Sequence, residues 1–135
     1  LTVRGSALTG TVVPAHEVPG LVDEVPVLAV AAACAEGETR FCGVGELRVK
    51  ESDRLATIAS ELGAMGARVV VDGDDLVVVG GRLRGADVDS HHDHRVAMAC
   101  AVAALVADGP TTVSGWDAVD TSYPAFGRDL DRLRP

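Results

Sequence analysis

"AVAAACAEGETRFCG" (29–43) and "AVAALVADGPTTVSG" (101–115) are the two stretches on which the fold turns. A shift of 72 positions lays one on the other without a gap. Ala29, Val30, Ala31, Ala32, Ala35, Gly37, Thr39 and Gly43 then meet identical residues, Glu36 meets Asp108 and Cys34 meets Val106. An alanine-rich helix matches many others by chance. A helix, its closing glycine and the following strand matching in one register point to an internal duplication.

Outward from the first copy, "DEVPVLAVAAACAEG" reads as a buried helix with Pro26 in its first turn, where a missing N–H costs nothing. "ETRFCGV" reads as a strand. "KESDRLATIASELGAMG" repeats Leu55, Ile58, Leu62 and Met65 at helical spacing and closes at Gly66. "ARVVVDGDDLVVVGG" is a hairpin pattern, two valine-rich runs around Asp-Gly-Asp-Asp. Upstream, "LTVRGS" (1–6) is a short strand candidate and "GTVVPAHEVPG" an extended, proline-punctuated connection. Around the second copy, "GRLRGADVDS" is strand or loop, "HRVAMACAVAALVADG" a buried helix, "PTTVSGW" a strand and "YPAFGRDLDRLR" a last helix. The expected fold is therefore α/β, built of repeated strand–helix–strand–helix–strand–strand units: one at 1–80 and an incomplete one at 81–135.

The 135 residues amount to one domain's length, and 47% of them are hydrophobic but only 3% aromatic, so the core must come from Ala, Val and Leu. A formal net charge of -8 argues against general nucleic-acid binding. Three cysteines, Cys34, Cys42 and Cys100, have no Cys-x-x-Cys spacing and read as small buried hydrophobes in a reducing cytosol. No run reaches the length of a membrane span and no signal peptide is visible, which points to a cytoplasmic protein. A first residue Leu1, without Met, hints at a piece of something longer.

In this acidic chain, cations gather at "ELRVKESDRLA" (46–56). In a helix starting near Lys50, Lys50/Arg54 and Glu51/Arg54 share a face. The stretch is then either a solvated first turn or a set of groups for an anion. Cations at a helix N-terminus oppose the dipole, which favours something negative nearby. Arg54 is suited to gripping a carboxylate or phosphate, Lys50 to acting as a mobile point charge, and Glu51 to moving a proton. Under the 72-residue shift Asp23 lies on Arg95, each heading a buried helix, and Lys50 on Ser122, each expected near the start of its unit's second helix. Several helix N-termini converging in one layer would offer free N–H groups to an anion. In "SHHDHRVAMA" (90–99) the spacing of His91, His92 and His94 is poor for a metal site. His94 and Arg95 instead head the buried helix and face an anion, with His91 and His92 in the loop. In "VDEVPVLA", Asp23 or Glu24 caps a helix or serves as acceptor or base for a substrate hydroxyl. Walker, Gly-x-Gly-x-x-Gly and Gly-x-Ser-x-Gly motifs are missing, so cofactor-driven and serine-hydrolase chemistry have no support. The residues lead to an anion site and not to a reaction.

"LRVKESDRLA" and "DHRVAMA" resemble the two C-terminal signatures of the EPSP synthases, the 3-phosphoshikimate 1-carboxyvinyltransferases, and "VPGLVDEVPVLAVAAACAEG" also matches that family's pattern. The resemblance runs over essentially the whole chain, while family members are about three times longer. It implies two domains of three such units each, with about two units of the C-terminal side present here. It implies transfer of the enolpyruvyl group of phosphoenolpyruvate to the 5-hydroxyl of shikimate 3-phosphate, by addition and elimination and without a cofactor. By motif position, Asp23 resembles the carboxylate that takes the hydroxyl proton, with Lys50 beside it. Glu51 resembles the group that protonates and later deprotonates the methylene carbon. Lys50, Arg54, His94 and Arg95 resemble the phosphoenolpyruvate-binding set, and Asp23, Lys50 and Glu46 the side facing shikimate 3-phosphate. Glyphosate, the family's inhibitor, is implied as a further ligand.

One departure stands out. Many members carry a late catalytic lysine where "AVDTSYPAF" (118–126) has Asp120, Thr121 or Ser122, which leaves the role of that stretch open. The alternatives are a non-catalytic anion-binding or structural domain and, more remotely, a transferase acting on UDP-N-acetylglucosamine. A cleft enzyme lacking its N-terminal domain is expected to be inactive, and to expose a sheet edge or apolar helix face through which it self-associates.

Overall fold

A computed structural model describes residues 2 and 4–133. The first unit runs β1 (Val12–Val13), α1 (Val25–Ala33), β2 (Glu38–Phe41), α2 (Arg54–Ala64), β3 (Arg68–Asp72) and β4 (Asp75–Val79). The second runs β5 (Asp87–Asp89), α3 (His94–Ala104), β6 (Thr112–Ser114), α4 (Asp117–Ser122) and α5 (Phe126–Asp131). The first four strands form one sheet in the order β1-β2-β4-β3, parallel between β1 and β2 and antiparallel elsewhere; β5 and β6 form a separate parallel pair.

The hairpin forms as its sequence dictates. Asp72 pairs with Asp75 across a two-residue loop whose first residue, Gly73, has φ +60. α1 is apolar on all sides and packs against α3, with Ala29 and Ala33 facing a core that also holds Ala99, Cys100 and Ala103. The small side chains bring these helices close. Leu55, Ile58 and Leu62 of α2 complete the core against Leu76 and Val78 of β4.

The duplication is visible in detail. Elements from the buried helix onward correspond at 72 residues, and the strand before it at 75. Gly10 donates its N–H to the Glu36 carbonyl at 2.7 Å, and Gly85 to the Asp108 carbonyl at 2.8 Å. The isolated bridges Thr9–Glu36 and Arg84–Asp108 follow the same two offsets. A Cβ on Gly10 would lie 2.1 Å from the Glu38 carbonyl oxygen, and one on Gly85 2.0 Å from that of Pro110, so neither tolerates a side chain. The helix-ending glycines Gly37 and Gly109 have φ +90 and +99.

Four expectations need correction. The first strand is Val12–Val13, not 1–6; of that segment only residues 2 and 4–6 are described, and none is in a strand. Two valines flanked by extended backbone pair with β2 through Val12–Arg40 and Val13–Phe41. The helix expected from Lys50 begins only at Arg54. Residues Gly45–Val49 form a 3-10 turn, Lys50 is extended (φ -82, ψ -161), and the Asp53 side chain caps α2 by accepting the Ala56 N–H. Ser122 likewise ends the short helix α4, which was not expected, rather than starting the last one. Of the cysteines only Cys100 is buried; Cys34 is exposed and Cys42 half-buried. Among the described residues no helix is long and apolar enough to cross a membrane.

Candidate active site

Arg54 holds the site together. It is the first residue of α2, yet only 1% exposed. Its Nε–H donates to Asp93 Oδ2 at 2.7 Å, Nη1 to Asp23 Oδ1 at 3.0 Å and Nη2 to Glu51 Oε2 at 2.5 Å. Asp23 lies just before α1 and Asp93 just before α3, so one guanidinium joins the starts of three helices. The cost of desolvating Arg54 is the largest influence on it, but the Asp93 hydrogen bond and the fields of Asp93, Glu51 and Asp23 outweigh that cost and raise its pKa.

Asp93 is wholly buried. It caps α3 by accepting the Arg95 and Val96 N–H groups on Oδ1, at 2.9 and 3.4 Å, and receives the Ser52 hydroxyl on Oδ2 at 3.1 Å. Burial alone would push its carboxyl up. Arg54, the Arg95 N–H and Ser52 overcome this and hold it below the ordinary range. Asp23 is half-exposed and faces Lys50 Nζ at 3.6 Å and Arg95 Nη2 at 3.8 Å as well as Arg54. Desolvation acts upward on Asp23 too, and the fields of Arg95, Lys50 and Arg54 lower it in net.

Lys50 Nζ donates to Glu46 Oε1 at 2.5 Å, and that bond is the main cause of its raised pKa. Arg95 Nη1 donates to the Asp23 carbonyl at 2.9 Å and to Glu24 Oε1 at 3.2 Å. The structure thus brings together Asp23, Glu46, Lys50, Glu51, Arg54 and Arg95. His94, the first residue of α3, is half-buried, and its side chain makes no hydrogen bond or ion pair among the described residues. The Asp120–Ser122 stretch lies on α4, where Thr121 Oγ1 bonds back to the Ala118 carbonyl at 2.7 Å. His91 and His92 occupy the loop before Asp93 with φ 51 and 56, and turn apart. His91 Nε2 is 3.8 Å from Glu61 and His92 Nδ1 3.2 Å from Asp117.

Sequence reasoning missed Asp93, Ser52 and the pairing role of Glu24. The signal for Asp93 was present: an aspartate immediately before an apolar helical run is a capping residue. Lys50, Arg54 and Arg95 are surrounded by Asp23, Glu24, Glu46, Glu51 and Asp93, three cations among five carboxylates. An anion entering here must take cations from carboxylates that already hold them.

A family model described as EPSP synthase (3-phosphoshikimate 1-carboxyvinyltransferase) matches residues 2–130. The chain belongs to that family. It is 56% identical over 134 residues to the 3-phosphoshikimate 1-carboxyvinyltransferase of Roseiflexus sp. (strain RS-1), covering 98% of this chain and 31% of the relative. To that of Gloeobacter violaceus it is 53% identical over 99% of the chain and 31% of the relative. The solved EPSP synthase of Acinetobacter baumannii superposes with a TM-score of 0.91 and 40% identity, over 95% of this chain and 31% of that one. The enolpyruvyl transferase NikO from Streptomyces tendae gives 0.68 and 28%, over 94% and 28%. The repeated α/β fold is thus that of the EPSP synthases and enolpyruvyl transferases, and this chain spans about a third of the length of the curated relatives it matches.

Proposed function

We propose that this chain is the part of an EPSP synthase that holds one wall of the active site, formed by two units, 1–80 and 81–135, of a three-unit domain. The whole enzyme transfers the enolpyruvyl group of phosphoenolpyruvate to the 5-hydroxyl of shikimate 3-phosphate and releases phosphate, in the cytoplasm. The observation that carries this reading is the meeting of Arg54, Asp23, Glu51 and Asp93 at three helix starts. Two motifs 39 residues apart and a third segment converge on one guanidinium.

In this reading Asp23, with Lys50 beside it, receives the proton of the attacking hydroxyl as its oxygen bonds to the central carbon of phosphoenolpyruvate. Glu51 gives a proton to the methylene carbon. The tetrahedral adduct then expels phosphate as Glu51 removes a proton from the same carbon, restoring the double bond. Lys50, Arg54, His94 and Arg95 hold the phosphate and carboxylate of phosphoenolpyruvate, while Asp23, Lys50 and Glu46 face shikimate 3-phosphate. No cofactor enters. Glyphosate competes at the same cations.

Three cations among five carboxylates cannot by themselves attract substrates carrying several negative charges. The reading therefore requires a strongly cationic opposite wall from the N-terminal domain, which also excludes water when the cleft closes. The test is a chimera in which residues 1–135 replace the matching third of the Roseiflexus enzyme. Phosphate release that depends on both substrates is expected from the chimera, and none from the 135-residue chain alone. A folded chimera without turnover overturns the assignment.

A further inference from the structure

The segment that carries Lys50 and Glu51 has little of its own to hold it. It leaves the 3-10 turn at Val49, which is 81% exposed, runs extended through Lys50 and reaches Asp53, the cap of α2. None of the backbone N–H groups of residues 51–53 is hydrogen-bonded among the described residues, and the Ser52 carbonyl is engaged only by the Arg54 N–H at 2.8 Å. The segment is therefore held through its side chains: Lys50 on Glu46 and Glu51 on Arg54. From its middle the Ser52 hydroxyl reaches the α3 cap, donating to Asp93 Oδ2 at 3.1 Å. Asp93 is wholly buried, fixed to the start of α3 by two backbone N–H groups and to α2 by Arg54.

We infer that Ser52 is a positioning residue, which ties the Lys50–Glu51 segment to the α3 cap through Asp93 and so sets where these two side chains stand. The inference rests on the transferase reading for its consequence, but the tether itself is a property of this chain. Arg54 keeps Asp23, Glu51 and the second donor position on Asp93 when the hydroxyl is removed, and Asp93 keeps its other three donors. Loss of the hydroxyl should therefore leave the fold and the Arg54 anion site in place and loosen the proton-handling segment. The chemical step, which needs Glu51 in place, suffers most, and anion binding loses only the share that Lys50 supplies. A threonine keeps the hydroxyl and its reach to Asp93.

Two measurements decide it. In the 135-residue chain, backbone nitrogen relaxation of residues 50–53 is compared for the unsubstituted protein, Ser52→Ala and Ser52→Thr. Alanine is expected to make these residues more mobile while α2 and α3 stay unchanged, and threonine to restore them. In the chimera, Ser52→Ala is expected to lower kcat about 10- to 100-fold, the scale on which small misplacements of reacting groups act. KM for phosphoenolpyruvate should rise by less than kcat falls, within about threefold, because Arg54, His94 and Arg95 lie outside the loosened segment, and Ser52→Thr should recover kcat. Unchanged mobility and unchanged kcat in Ser52→Ala overturn the inference, as does a rise in KM at constant kcat or a failure of threonine to rescue. If the unsubstituted chimera has no turnover, the transferase reading fails, and the relaxation data alone uphold or overturn the tether.

Discussion

The start of the second helix in each unit shows how far one scaffold can diverge. Under the 72-residue register Arg54 corresponds to Phe126, Glu51 to Tyr123, Asp53 to Ala125 and Lys50 to Ser122. In the first unit this corner buries a guanidinium among three carboxylates and is capped by Asp53. In the second, the same corner holds an aromatic group: Phe126 lies 6.1 Å from Trp116 and 5.7 Å from Tyr123, and α5 has no side-chain cap. The preceding short turn survives in both, with Leu47 and its counterpart Val119 each buried. Shape was kept while chemistry was replaced. One corner places charge where three helices meet, and the other is ordinary packing.

The strongest way to break this contrast is to put an apolar side chain at the charged corner. Arg54→Met should destabilise the chain by about 3–5 kcal/mol at neutral pH, because Asp93 is left charged and buried without its partner. Urea unfolding at pH 7 measures the loss. The sign with pH follows from Asp93, whose folded pKa lies below its ordinary 3.8. The stabilisation it brings is complete above that value and is lost as pH falls through the depressed folded one. Without Arg54, burial instead raises the Asp93 pKa, so the gap between variant and parent should narrow on going from pH 7 to pH 4. A constant gap would mean that Asp93 is not the group left stranded.

The repeat can be sharpened at two matching close backbone approaches. Gly10→Ala and Gly85→Ala should each cost about 1–3 kcal/mol, since each Cβ runs into a backbone carbonyl, Glu38 in β2 or Pro110 just before β6, and the backbone must shift. Similar losses in thermal unfolding are expected from two positions in different units. A large effect at one and none at the other would show that the corresponding strands are not held alike. The smallest effect belongs to the helix cap. Asp53→Ala should cost about 1 kcal/mol, with no equivalent loss available at Ala125, where no cap exists.

Periodicity made α1, the body of α2, the β3–β4 hairpin and α3 legible, because each is decided by local patterning: alanine and valine with a closing glycine, leucine at helical spacing, valine runs around Asp-Gly. What periodicity could not locate is the exact point where α2 begins. Lys50, Glu51 and Ser52 are compatible with helix, and only Asp53 capping the Ala56 N–H decides against it. The gathering of Asp23, Lys50, Arg54 and Arg95 was anticipated from repeat register and motif resemblance. The central place of Asp93 was not, since its role depends on a partner 39 residues away that no local pattern reveals.

The two offsets, 75 residues before the buried helix and 72 after it, mean that the copies differ by three residues in the connection between them, an insertion or deletion of three codons in one half. The shorter connection, residues 90–93, takes two histidines through left-handed backbone to reach α3. In the shared frame α3 starts at His94 and α1 at the equivalent of residue 97; the residues matching the first turn of α3, Val22–Glu24, form a 3-10 turn instead. At that point Asp93 caps α3, whereas α1 has no side-chain cap. A three-residue change in a loop thus goes with two sister helices that begin differently, one through a 3-10 turn and one capped by a buried aspartate that also holds the guanidinium of the other unit.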